Sequence, residues 1–236
     1  MTNIPFSLEA ELYDVLDQRL GTTVVPPDSS DGFKCLSQQQ VGTVIPDYVL
    51  ISCPQCEPQL DGGFEGLTAF ESAIVAALLS GRPMRKETLA RQLYTRVERI
   101  APNLTALKRR GIVCELPTGS YALNGGAVPK DLHVVAVEAK LSRWRDAILQ
   151  AESYLQFANQ SFVALPSILA TNNDKLLRQC RERGVGVLGV EPESVHLISA
   201  ARTSQPRSPD WVWLVSRAVR FGHQNTIQDP LQQTLI

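Results

Sequence analysis

No stretch of this chain is apolar for long enough to span a bilayer. The longest apolar runs, such as Ala73-Ile74-Val75-Ala76-Ala77-Leu78-Leu79, stop far short of the roughly 18–20 residues a span requires. The first residues, MTNIPFSLEAELYD, carry acids where a secretion signal needs basic residues and then an apolar run. A soluble, cytoplasmic protein with no membrane partner is therefore expected. Cysteine is scarce, scattered and odd in number (35, 53, 56, 114 and 180), which argues against a disulfide framework. Cys53 and Cys56 form a single CxxC, but a zinc site usually needs a second ligand pair, and His133, His196 and His223 stand at no matching spacing. Aromatic residues make up only 6%, too few for a base-stacking platform on their own. A P-loop, a GxGxxG and a G-x-S-x-G are all missing, which removes phosphate cradles and nucleophile elbows from the candidates.

What is present is an ordinary globular composition, 44% apolar and 20% charged over 236 residues, room for one large domain or two small ones. The net charge of −1 says nothing about partners, but its distribution does. Residues 1–81 hold two basic groups against eleven acids, net −9. Residues 82–110 hold nine basic groups against Glu87 and Glu98, net +7, and the remainder is near balance at +1. A short segment that positive is an electrostatic footprint for phosphates.

Residues 7–20 read as a helix, with Ser7 as N-cap, Leu8, Leu12, Val15 and Leu16 at helical spacing and Gly21 as its stop. A loop rich in Pro, Ser, Asp and Gly (26–32) and β-rich stretches follow, ending in residues 43–51. From 64 to 124 the character changes. Helices are expected over about 68–80 (N-cap Thr68), 85–94 and 96–110, the last kinked or restarted by Pro102. A hairpin of 112–116 and 120–123 turns at Pro117-Thr118-Gly119. After the loop from Asn124 to Pro129 come an apolar strand over 133–140, a helix over 142–158 and a strand over 161–166. A helix over 173–183, strands over 185–190 and 195–198, and a terminal helix bearing Trp211 and Trp213 complete the chain. Alternating strands and helices indicate an α/β sheet. One α/β domain, residues 1–63 and 125–236, is thus interrupted by a helical module at 64–124.

The chemistry concentrates at the end of the strand 133–140. Glu138 and Lys140, two apart, point to one face. A carboxylate there can bind a hard divalent cation, and a lysine beside it can position water and oppose the charge growing on a phosphate. Asp47, at the start of another apolar strand, supplies a second carboxylate. Arg143 and Arg145, beside the packing residue Trp144, can reach phosphates.

Pro46-Asp47 with Glu138-Ala139-Lys140 resembles the signature of the PD-(D/E)XK nuclease superfamily, and Gln150-Ala-Glu-Ser-Tyr154 resembles the Q-xxx-Y element of its RecB-like members. Helix 7–20, with Glu9-Ala-Glu-Leu12, is similar to the N-terminal helix of Holliday-junction-resolvase-like members, where a glutamate completes the metal site; here that is Glu9 or Glu11. The separation of 91 residues between Asp47 and Glu138 departs from the short hairpin usual in the family, and a self-contained insertion at 64–124 accounts for it. That insertion resembles a winged helix-turn-helix in its order of three helices and a hairpin, its leucine spacing (Leu78, Leu89, Leu93, Leu104, Leu107) and its Gly119 turn.

The resemblance implies a restriction-endonuclease-like mixed sheet flanked by helices and interrupted by a winged helix. It implies Mg²⁺ or Mn²⁺ on Asp47, Glu138 and Glu9, water oriented by Lys140, and a substrate strand steadied by Gln150 and Tyr154. Arg96, Arg99, Lys108, Arg109, Arg110, Arg143 and Arg145 would contact nucleic acid, DNA before RNA. Two rivals stand beside this expectation. One is a non-catalytic DNA-binding regulator or defence-system subunit on a nuclease-like scaffold. The other makes the winged helix a site for a protein partner or for homodimerisation.

Overall fold

The computed structural model describes residues 6–24, 33–52, 63–128, 132–218 and 227–228. Cys53, Cys56, His223, the 26–32 loop, Gly62 and Pro129 lie outside them. In chain order the elements are α1 (Glu9–Val24), β1 (Phe33–Ser37), β2 (Tyr48–Ser52), α2 (Ala69–Leu78), β3 (Met84–Arg85), α3 (Lys86–Gln92), α4 (Val97–Arg109), β4 (Val113–Glu115) and β5 (Ser120–Leu123). Then follow β6 (His133–Ala139), α5 (Trp144–Tyr154), β7 (Gln160–Pro166), α6 (Ser167–Thr171), α7 (Asp174–Arg183), β8 (Gly186–Glu191), β9 (Ser194–Ser199), α8 (Pro209–Ala218) and β10 (Ile227–Gln228). No helix among the described residues is long and apolar enough to cross a membrane.

The elements divide into two compact units. The first is an α/β unit on a seven-stranded mixed sheet in the order β10-β1-β2-β6-β7-β8-β9. β6, β7 and β8 run parallel, joined by α5 and by α6–α7, while β2 and β9 flank them antiparallel. Strand alternation sorts the core onto two faces. Val135, Val137 and Ala139 of β6 pack with Leu12, Leu16 and Leu20 of α1. On the other face Val163, Leu165 and Val187 pack with Ala147, Ile148 and Ala151 of α5 and with Leu176 and Cys180 of α7. β2 and β6 are direct neighbours, with Ser52 opposite His133, so everything between them leaves and re-enters the sheet at one place.

α1 does not stop at Gly21 as expected; it runs to Val24. A methyl group at Gly21 would overlap the Phe33 ring, so this glycine provides close approach between helix and strand rather than a terminus. Its first turn is capped by Glu11, whose Oε2 accepts from the N–H of Ser7 (2.6 Å) and of Leu8 (3.3 Å).

The second unit holds α2, β3, α3, α4, β4, β5 and α8. Thr68 and Glu71 form a reciprocal capping box at the start of α2. A three-stranded antiparallel sheet in the order β3-β5-β4 stands with three helices whose buried leucines are Leu78, Leu89, Leu104 and Leu107. α4 continues through Pro102 as one helix, although the proline leaves the Glu98 carbonyl without its i+4 donor. α8, placed with the α/β domain by the sequence boundaries, packs instead on α2. There the carbonyl and hydroxyl of Ser216 accept from the N–H groups of Gly66 (2.9 Å) and Leu67 (3.2 Å). Its apolar face (Trp211, Val212, Leu214, Val215) is buried.

Candidate active site

β6 is apolar and buried from Val134 to Val137, and the chain then turns polar at the strand's carboxyl end. β2 runs antiparallel beside it with Tyr48 opposite Val137. Asp47, the residue before Tyr48, is thereby brought alongside Glu138, although 91 positions separate them in sequence. Asp47 is fixed by both carboxylate oxygens. Oδ1 accepts from the Tyr13 hydroxyl of α1 (3.0 Å), and Oδ2 accepts from the main-chain N–H of Ala139 (2.8 Å).

Glu138 is 2% exposed, and a buried carboxylate must be satisfied or neutralised. Its Oε2 accepts from the Tyr154 hydroxyl of α5 (2.7 Å), and its Oε1 lies 2.8 Å from the Lys140 ammonium. That ammonium also lies 3.7 Å from Asp47 Oδ2 and donates to the Ala139 carbonyl at 3.0 Å. Three oxygens from three residues thus converge on one positive charge.

The electrostatics follow from that packing. Burial, and then the charge of Asp47, raise the Glu138 carboxyl above its ordinary value, against the hydrogen bonds from Lys140 and Tyr154. Burial alone would lower Lys140. The hydrogen bond to Glu138 and the charges of Asp47, Glu138 and Glu9 outweigh it, and the ammonium is held above its ordinary range. Burial first, and then the carboxylates beside them, push the phenols of Tyr13 and Tyr154 up, so both remain donors. At neutral pH Lys140 is therefore a cation and a donor, not a base.

Among the described residues no cluster of three or more His, Cys, Asp or Glu side chains is placed to hold a metal ion. The donors present are two carboxylates and one main-chain carbonyl, all hard oxygens aimed at one point that the Lys140 ammonium now fills. That set is compatible with Mg²⁺, which usually takes one or two carboxylates and keeps several waters. It is not the all-protein cage of a structural ion.

The other expected residues are placed less uniformly. Glu9 contributes to the field at Lys140 and Tyr13, whereas Glu11 is spent on capping α1. Gln150 is exposed and is not brought to Glu138. Trp144, Ala147, Ile148, Ala151 and Tyr154 form the buried arc of α5, and Gln150 lies about 40° beyond Tyr154 at its margin. Tyr154 itself is buried, and its hydroxyl donates to Glu138. Arg143 and Arg145 are exposed at the start of α5, Arg145 stacked on Trp144 (4.5 Å to the ring centre) and Arg143 4.0 Å from Asp146. Tyr13 escaped notice in the sequence. Its one signal is that it follows Glu9 by four residues, on the same face of α1.

The five basic candidates of the second unit also separate. Arg110 is structural: it donates to the carbonyls of Gly63 (2.7 Å) and Glu65 and lies 3.6 Å from Glu71. Lys108 is paired with Glu115 at 2.9 Å, and Arg99 lies over the Phe70 ring at 4.4 Å. Arg96 and Arg109 are exposed and take part in none of the ion pairs found among the described residues. Comparison with protein-family models, curated proteins and solved structures found no match.

Proposed function

We propose that this chain is a cytoplasmic Mg²⁺- or Mn²⁺-dependent nuclease of the PD-(D/E)XK kind, with a restriction-endonuclease-like first unit that hydrolyses phosphodiester bonds, in DNA before RNA. The observation that carries the reading is the convergence of Asp47, Glu138 and the Ala139 carbonyl on one point, held here by the Lys140 ammonium. The second unit is read as a winged helix for nucleic acid, supported by its order of α2, β3, α3, α4, β4, β5 and its β3-β5-β4 sheet.

Each group has a definite task in this reading. Asp47, Glu138 and the Ala139 carbonyl would hold the cation, with Glu9 adding negative charge. The cation, when bound, supplies charge neutralisation and Lewis-acid polarisation. Tyr13 and Tyr154 lock the two carboxylates by one hydrogen bond each. Lys140, kept protonated by the surrounding acids, orients the attacking water and opposes the negative charge developing on a phosphate oxygen. The water's proton passes to solvent or to a substrate phosphate oxygen, since the ammonium has no lone pair to take it. Arg143 and Arg145 meet the substrate backbone.

A second reading draws on a separate observation. All four carboxylate oxygens of Asp47 and Glu138 already have partners in Tyr13, Ala139, Lys140 and Tyr154, an arrangement that also suits a non-catalytic DNA-binding regulator on the same scaffold. Cleavage of supercoiled, linear and single-stranded DNA and of RNA, with Mg²⁺, Mn²⁺ or chelator, separates the two. Cation-dependent cleavage abolished by Asp47→Asn supports the nuclease. Binding without cleavage of any of these substrates leaves the regulator. A chain that binds no nucleic acid points instead to the second unit docking a protein or a second copy.

A further inference from the structure

The turn between α3 and α4 carries an unexpected residue. Leu93 ends α3, the N–H of Tyr94 donates to the carbonyl of Arg91 (3.3 Å), and the N–H of Thr95 donates to that of Ala90 (2.9 Å). This is the hydrogen-bond pattern of a Schellman motif, which puts its C′ residue in the left-handed region where glycine dominates. At the end of α4 the same pattern is built with Gly111 (φ +70°) in that place. At the end of α3 the place is taken by Tyr94, at φ +50°. A bulky L-residue is strained there, and backbone strain of this kind gathers at functional positions.

The side chain gains nothing from the fold in return. Tyr94 is 98% exposed, and among the described residues the other exposed large apolar side chains are all aliphatic. Its flanking cations, Arg91 and Arg96, are exposed and enter none of the ion pairs found among the described residues. An aromatic ring with both faces open, flanked in sequence by two exposed arginines, has the composition of a base-stacking contact set in an electrostatic track for phosphates.

We infer that Tyr94 is a stacking platform for an unpaired nucleobase, so the preferred ligand has single-stranded character: a gap, flap, overhang or junction. A base inside a duplex has its faces covered by its neighbours and offers this ring nothing. The inference rests on the nucleic-acid reading above and adds to it the class of structure recognised.

The test uses the full chain, with chelator present, and fluorescence anisotropy on a labelled oligo(dT) and on a blunt duplex of equal length. Tyr94→Asn tolerates the left-handed backbone and should leave the thermal midpoint unchanged or raised while weakening oligo(dT) binding about tenfold or more, the size expected of one lost stack. Tyr94→Phe keeps the ring and should retain the affinity, and the blunt duplex should bind all three proteins alike. A lowered midpoint in Tyr94→Asn would make the residue structural and overturn the inference, as would undiminished oligo(dT) affinity or an equal loss on duplex. Wild type that binds duplex but not oligo(dT) overturns this inference alone; wild type that binds neither removes the nucleic-acid reading with it.

Discussion

Lys140 stands where three oxygens meet, and that position separates the effects of changing the residues around it. On the nuclease reading, Glu138→Gln removes charge on which a cation would depend, so turnover should vanish and Mg²⁺ affinity should fall. Lys140→Ala leaves both carboxylates and should bind the cation at least as well, because no ammonium competes, yet lose about 10²–10⁴-fold in rate. Isothermal titration with Mg²⁺ and single-turnover cleavage on both proteins distinguish these outcomes; parallel losses of metal affinity would contradict the roles assigned. Burial pushes the Cys35 and Cys180 thiols up to about 12. A folded state that holds these protons tightly has their full contribution to stability below the ordinary thiol value of about 8.5 and loses it as pH rises through the raised value. Neither thiol should therefore react with iodoacetamide at pH 8 until the protein is unfolded, as peptide mass spectrometry would read directly. Asp47, Glu138 and Lys140 were legible because two lie at strand spacing and the third opens an apolar strand. Tyr13 was not, because its partner is 34 residues away and nothing local announces the bond.

At the level of elements, a glycine in a helical pattern has two physical meanings, and the sequence does not choose between them. Gly81 and Gly111 take left-handed backbone after helices, as the pattern suggests. Gly21 instead lets Phe33 press against α1. Gly21→Ala should destabilise by about 1 kcal/mol, overlap outweighing the gain in helix propensity. In a Phe33→Ala background the same change should stabilise by about 1 kcal/mol. Urea denaturation of the four proteins reads the change of sign; a stabilising effect in both backgrounds would show that the ring moves aside freely. Most of the strand and helix order was readable from periodicity, whereas β3, α6 and β10 were missed because two, five and two residues are too short to show any period.

Over the whole molecule, local charge located the basic segment but could not say which cations are free. Arg110 spends its guanidinium on two carbonyls and a carboxylate, and Lys108 is taken by Glu115, contacts made only by the folded chain. Arg96→Glu with Arg109→Glu should lower the salt dependence of DNA affinity by about one slope unit per lost phosphate contact, with the thermal midpoint unaltered. Arg110→Ala should lower the midpoint instead. Affinity measured across a salt series, beside calorimetric melting, checks both, and an unchanged slope in the double variant would favour protein docking by the second unit. The domain boundary failed at α8 because an amphipathic helix tells from its own sequence that it packs, but not on what.

That packing has a consequence for biosynthesis. α2 leaves the ribosome more than a hundred residues ahead of α8, so at typical elongation rates its apolar face waits on the order of 10 s for a partner. Meanwhile β6, β7 and β8 emerge and can assemble. The inserted unit, although earlier in the chain than most of the sheet, would be the later to mature, and it offers a hydrophobic surface for chaperones in the interval. Ribosome-stalled chains ending before Pro209 should be cut by protease within residues 64–128, and chains whose α8 has cleared the exit tunnel should be protected there.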